Sequence, residues 1–320
     1  MSLITANREV KGTMERDFDI LVIGELNPDL ILSGDVLPEF GQVEKLVDDA
    51  TLVIGASAAI VACGAARLGL RVGFVGTVGR DVFGDFMLDQ LRAHGIDVSG
   101  VVRSPDLHTG LSVILNKGND RAILTFPGAI PALKLVDIPV SLISRAHHLH
   151  LASYFIQAGL RPDVPVLFKL AHAHGVTTSL DTNYDPAETW DGGVWQVLEN
   201  CDVFLPNATE AKAIARMGEV RKAIRYLSQR VPVLAVKLGA EGACTWFEGS
   251  QVFVPSLKVE VVDTVGAGDS FDAGFLYGWL AGWDIKDSLR LGCICGSLST
   301  RATGGTAAQP DLAEARRYFA

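Results

Sequence analysis

Six short apolar runs recur along this chain, and stretches of helical periodicity lie between them. The runs cover residues 19–24, 71–76, 147–151, 176–181, 201–206 and 231–237. Runs this short, rich in β-branched residues, fit strands buried on both faces. The intervening stretches carry helix signals. Residues 57–68 are rich in alanine and close on Arg67-Leu68-Gly69. Residues 82–94 place Phe83, Phe86, Met87, Leu88 and Leu91 at helical spacing before Gly95. This alternation predicts an α/β fold whose doubly wound, mostly parallel sheet is flanked by helices.

Two regions break the alternation. Residues 34–54 and 107–127 hold strand-like runs without intervening helices, and Lys117-Gly118-Asn119-Asp120 reads as a hairpin turn. They are expected to form a small β-sheet outside the main one, either as edge hairpins or as a lid over a cleft. The α/β core then comprises residues 1–33, 55–106 and 128–320, and the β lid residues 34–54 with 107–127. Residues 244–262 offer three short strands, followed by helical patterns at 268–281 and 285–303.

The 28 Lys and Arg against 37 Asp and Glu leave a net charge of −9. Nucleic acid or an anionic membrane as main partner would need the opposite field. The 48% of hydrophobic residues supports a large core. No apolar stretch reaches the ~20 residues of a membrane span, and residues 1–17 lack an apolar signal core. The five cysteines form no CxxC pair and are odd in number, which argues against a disulfide framework and for a reducing compartment. A soluble, cytoplasmic protein is expected.

The stretch richest in chemistry is Asp263-Thr264-Val265-Gly266-Ala267-Gly268-Asp269-Ser270-Phe271. It follows a strand-like run at 259–262 and opens an apolar helix. Amides at a helix N-terminus lack intrahelical partners and carry partial positive charge. Gly266, Ala267 and Gly268 have little side chain, so an anion can approach them closely. A carboxylate at Asp269 would repel that anion unless it faced the other side of a reacting centre. Such an arrangement suits phosphoryl transfer, although a first-turn Asp is also an ordinary cap.

The whole string resembles the C-terminal signature of the ribokinase-like (PfkB) carbohydrate kinases. Residues 55–85 resemble the family's N-terminal signature, with Ala65-Ala66-Arg67-Leu68-Gly69 and then Val75-Gly76-Thr77-Val78-Gly79-Arg80-Asp81. The likeness spans about residues 20 to 310. It implies a ribokinase-like sheet with a small β lid, and an ATP-dependent kinase acting on a sugar hydroxyl. By that resemblance Asp269 matches the catalytic base, and Gly266, Ala267 and Gly268 the anion hole. Asn207 and Glu210 match an NxxE segment that organises Mg²⁺ through water. Lys237, Gly239 and Gly242 match the nucleotide loop, and Gly292 and Gly296 a helix bordering adenine. Asn27, Asp29, Gly55, Ala56 and Asp181 match acceptor-binding positions. Asp263 is the position that bears on a monovalent cation such as K⁺, and the lid of such a protein suits a homodimer interface.

Local chemistry agrees with part of this. Mg²⁺ keeps several waters and needs only one or two carboxylates plus substrate phosphates, though Asn207 and Glu210 also read as a helix start. Lys237 ends an apolar run, where a solvated lysine is equally ordinary. An Asn-Pro-Asp segment is often only a turn. Gly292, Cys293, Gly296 and Ser297 are small enough for close helix packing. Three departures stand out: Ala56 replaces a paired glycine, Ile60 replaces a frequent Asn, and Asp185 replaces the Arg of a DxNxR segment. They leave the acceptor open, and a nucleoside kinase or a non-catalytic sugar- or nucleotide-binding regulator remains the alternative. A dinucleotide fingerprint is excluded because Phe271 stands at its third glycine, and no GxxxxGK[ST] occurs.

Overall fold

The computed structural model describes residues 16–117 and 120–319. Most of the N-terminal stretch read above for a signal core, and the centre of the 117–120 turn, lie outside the described residues. Strands Val233–Leu234, Val203–Phe204, Thr177–Leu180, Ala146–Leu151, Phe18–Ile23 and Val72–Val75 lie side by side in that order, all parallel.

Strand alternation sends side chains to two apolar layers. Ile20 and Val22 enter one, which helices Ser57–Arg67, Val82–Ala93, Ala267–Leu280 and Ile285–Ser299 close. Leu21 and Ile23 enter the other, closed by Val164–Ala173, Val194–Leu198, Ala208–Ala215 and Val220–Leu227. The chain first steps from Phe18–Ile23 to Val72–Val75, then returns to Ala146–Leu151 on the opposite side. Ligands of such sheets bind beyond the strand carboxyl ends where the order reverses.

A second, four-stranded sheet runs Asp49–Ile54, Pro28–Ser33, Leu111–Lys117, Asp120–Phe126. Its middle pair is parallel and its outer pairs antiparallel. Pro28–Ser33 therefore belongs to the small sheet, although the sequence reading placed it in the core. Residues 34–48 form an irregular, largely exposed excursion rather than strand.

Two further expectations are corrected. The 259–262 run is irregular, with Val261 and Val262 more than half exposed: it is β-branched, but the Val262 amide donates to Thr300 O in a helix-end loop rather than to a strand. The 244–262 region holds two strands, Gly242–Phe247 and Ser250–Pro255. The third member of that antiparallel sheet, Val236–Lys237, comes from the preceding run, which leaves the main sheet at Ala235.

Candidate active site

The carboxyl ends of the main strands deliver the polar residues. Glu25 and Asn27 follow Phe18–Ile23, Ser153 follows Ala146–Leu151, Asp181 and Asn183 follow Thr177–Leu180, and Asn207 and Glu210 follow Val203–Phe204. The helix Ala267–Leu280 points its N-terminus at them. Gly266, at φ 70°, turns the chain into that helix in a conformation glycine tolerates best. A Cβ there would lie 2.6 Å from Gly305 Cα and 3.0 Å from Ile60 Cγ2. Ile60, where the resemblance expects Asn, is thus an apolar prop beneath the turn. Ser270 N–H donates to Gly266 O at 2.9 Å, so the amides of Ala267, Gly268 and Asp269 precede the helical ladder. Of these, the Ala267 amide turns back to Thr264 O at 3.3 Å.

Behind the turn lies a buried charged centre. Carboxylate oxygens of Asp181, Asp269 and Asp272 lie within 4.8 Å of one another. Lys237 supplies the counter-charge: its Nζ donates to Asp181 Oδ2 at 2.7 Å and to both oxygens of Asp272 at 3.1 and 3.0 Å. Burial pushes the Asp269 carboxyl up to about 7, the Asp181 charge adds to this, and Lys237 opposes it. Burial also holds Asp272 well above the usual carboxylate range. At Asp181 burial acts in the same sense but is outweighed by Lys237 and by hydrogen bonds, so its carboxyl stays below its ordinary value. Burial works against the Lys237 charge, yet Asp181, Asp272 and Glu210 together raise its proton affinity.

Asn207 and Glu210 form a reciprocal helix cap. The Asn207 side chain accepts from the Thr209 and Glu210 amides at 2.9 and 3.0 Å, and Glu210 accepts from the Asn207 amide at 2.9 Å. Burial, with Asp181 nearby, lifts the Glu210 carboxyl to about 8. Four acidic groups thus surround one ammonium, and a divalent cation bound among their oxygens would favour the ionised forms that burial resists.

On the acceptor side the small sheet aligns Asp29 with Ser112, and Ser112 with Thr125. Asn27 Nδ2 lies 3.5 Å from Ser112 Oγ. Burial raises the Asp29 carboxyl to about 7, against the bond from Ser112 and with the Glu25 charge. A Cβ at Gly55 would fall 2.1 Å from Asp29 Oδ1, so only glycine lets that carboxylate into the cleft.

The sequence reading missed the opposite wall. Glu25, fully buried and raised by it, accepts from the Ser57 amide at 2.7 Å and from Ser153 Oγ at 2.6 Å. Asn183 Nδ2 donates to Ser57 Oγ and Ser153 Oγ at 2.5 and 2.7 Å. Ala56, Ser153 and Asn183 all hold positive φ, at 66°, 54° and 52°. Strain gathered at one place marks a functional site, but no local sequence signal discloses it. Asp272 had a signal: three residues beyond Asp269 puts it on the same helix face.

Other expected residues are placed differently. The Asp181 carboxylate, assigned above to the acceptor, engages Lys237 and the Asn183 amide. Gly292 and Gly296 serve helix packing, since Cβ atoms there would lie 2.8 Å from the Phe271 ring and 2.9 Å from Ala267 O. Gly239 and Gly242 both have positive φ around a turn of 3₁₀ helix, Gly239–Glu241, and a Cβ at Gly242 would meet Val254 O at 2.0 Å. The Asp263 oxygens accept from the Val265 and Gly304 amides, both at 2.9 Å, and Arg121 of the small sheet approaches to 3.5 Å. Asp185 accepts from the amides of Ala187, Thr189 and Trp190, closing its own loop rather than reaching the cleft.

An uncapped helix N-terminus facing a buried carboxylate, at the reversal point of a doubly wound sheet with a second small sheet beside it, defines a sugar-kinase type of phosphotransferase site. The chain matches the pfkB family carbohydrate kinase over residues 17–312 and belongs to that family. An uncharacterized sugar kinase of Archaeoglobus fulgidus is 32% identical over 229 residues, 72% of this chain and 91% of that one. The 2-dehydro-3-deoxygluconokinase of Bacillus subtilis is 34% identical over 265 residues, 76% and 79% of the two chains. A fructokinase of Xylella fastidiosa with bound ATP superposes with a TM-score of 0.80 at 24% identity, covering 93% of this chain and 97% of that one. No helix among the described residues is long and apolar enough to cross a membrane.

Proposed function

We propose that the protein transfers the γ-phosphoryl of MgATP directly to a hydroxyl of a sugar. The carrying observation is a buried Asp269 carboxyl in the first turn of a helix whose Gly268 and Asp269 amides precede its ladder, with the Lys237 stem beneath Gly268. Phosphoryl transfer proceeds through a loose transition state, so positioning and electrostatics supply most of the rate. The Gly268 and Asp269 amides receive the phosphoryl oxygens. Asp269 holds the acceptor hydroxyl and takes its proton as the bond to phosphorus forms, an effect of about 10²–10⁴ in rate. Mg²⁺, when bound, neutralises charge on the phosphate oxygens, and Glu210 with Asn207 would hold its waters. The nucleotide lies along the Gly239–Gly242 turn, with the Lys237 ammonium beneath the Gly268 turn rather than on a phosphate.

Asn27, Asp29 and the Gly55-Ala56 bend face the acceptor, with Glu25 ordering the wall behind it. A carboxylate accepts from two adjacent hydroxyls, which suits a polyol over a nucleoside base. The small sheet closes as a lid and excludes water, the competing acceptor. Each Asp263 oxygen accepts one amide and keeps acceptor capacity for a K⁺ ion, which a K⁺ against Na⁺ activity series reads directly. All five cysteines are buried and unpaired, which suits a cytoplasmic protein.

The test is ADP release over a panel of sugars, sugar acids, sugar phosphates and nucleosides. One sugar-class acceptor should give turnover, and Asp269→Asn should bind ATP normally while losing at least about 10²-fold in kcat. Normal turnover by Asp269→Asn would end the proposal, and a nucleoside as the one acceptor would transfer it to the alternative.

A further inference from the structure

Lysine carries its charge on a flexible four-carbon stem. At the end of Val236–Lys237 it would be free to swing toward a nucleotide phosphate. It does not point that way. The stem passes beneath the catalytic turn, with Cδ, Cε and Nζ at 3.7, 3.8 and 3.6 Å from where a Gly268 Cβ would stand. Its ammonium is held by Asp181 and by both oxygens of Asp272. The Asp272 side chain is wholly buried, so it touches neither substrate. Resting on the kinase reading above, we propose that Asp272 is a positioning residue that fixes the Lys237 ammonium under the helix turn, away from the base and the phosphates.

The argument is geometric. Of the three mutually close carboxylates, Asp181 and Asp272 bond Lys237 and Asp269 does not. Three hydrogen bonds to two neighbouring carboxyls hold the ammonium in place, and its charge acts on the phosphoryl through the thin Gly268 turn. If Asp272 is removed, Asp269 becomes the alternative partner. The ammonium then pairs with the base, or it reaches outward and binds the nucleotide in its ground state. Either change lowers turnover without weakening ATP binding.

The experiment compares Asp272→Asn, Lys237→Met and the double variant for kcat, ATP KM, ATP affinity by calorimetry and melting temperature. Asp272→Asn should lose about 10- to 100-fold in kcat, the range a misplaced catalytic group gives, with ATP KM and Kd unchanged or lower. Added to Lys237→Met it should cost little more, because the group it positions is gone. Unchanged kcat, weakened ATP binding, or losses that multiply in the double variant would each overturn the proposal. If Asp272→Asn alone does not fold, the double variant removes both charges together, and its comparison with Lys237→Met decides. Calorimetry is independent of turnover, so an undiscovered acceptor would defeat the kinase reading and leave this one readable.

Discussion

At the scale of single residues, the site holds carboxylates whose ionisation is needed for work and resisted by burial. Asp269 stands at about 7, through burial first and Asp181 second. Below that value it keeps its proton and cannot accept another, so activity is present above pH 7 and lost as pH falls through it. kcat/KM for the acceptor should therefore rise about tenfold per pH unit up to roughly 7 and then level off. If Asp29 must also ionise, the rise is steeper, since its carboxyl also stands at about 7. Stability runs the other way. A folded-state pKa above the unfolded value favours the folded chain below the unfolded value, and that advantage is lost as pH rises through 7. Asp269→Asn should then melt above the parent at pH 8 by about 2 °C or more, the shift that ~1 kcal/mol gives in a large domain. A flat pH profile, or a variant no more stable at pH 8, would contradict the assignment of this titration to Asp269.

At the scale of elements, legibility depended on whether the physics is local. The helix start at Gly266–Gly268, with Asp269 in its first turn, could be read because the residues that make it are consecutive in the chain. Most of the main strands could be read because burial on both faces leaves a nearly continuous apolar run, with His148, His150 and Ser179 as buried polar exceptions that bond one another. Pro28–Ser33 could not, because the same kind of run pairs here with Leu111–Lys117, and register across 80 residues leaves no mark in either segment. Asp272 shares a helix face with Asp269 by its spacing, which is a local signal, whereas Glu25, Ser57, Ser153 and Asn183 meet only after folding. The strand matters to the proposed function, because it carries Asp29 on the small sheet, and on that proposal an acceptor held by Asp29 would move with the sheet. Arg121 already ties the sheet to the catalytic loop through Asp263. Adding an ATP analogue plus acceptor should slow amide hydrogen exchange in Asp49–Ile54 and Leu111–Lys117 by at least about tenfold, equivalent to ~1.4 kcal/mol of added protection. Unchanged exchange in both strands would rule out the sheet as a lid.

At the scale of the whole molecule, the small sheet has two unlike faces. Register puts Asp29, Ser112 and Thr125 together on the face toward the cleft. The other face aligns Leu30 with Leu52 and Val113, and Val113 with Leu124, beside a second row of Leu32, Ala50, Leu115 and Ala122. Leu124 and Phe126 are 61% and 54% exposed. Leu30, Leu32, Leu52, Val113 and Leu115 on that face are only partly buried, and Asp120–Phe126 ends the sheet as an exposed edge. A contiguous apolar sheet face of this kind is expected to be covered in solution. A second copy of the chain, meeting it sheet to sheet, would bring two such faces together and stiffen both lids. The protein should therefore be a homodimer by light scattering. Leu124→Asp places a charge at the centre of that face, forfeiting the ~1.5–3 kcal/mol of a buried Leu, and should weaken association by about 100-fold or more. Because Leu124 is exposed in the single chain, the variant's melting temperature in the dilute, monomeric range should match the parent's. A parent that scatters as a monomer, or a variant that dimerises as tightly as the parent, would remove the small sheet from consideration as an interface.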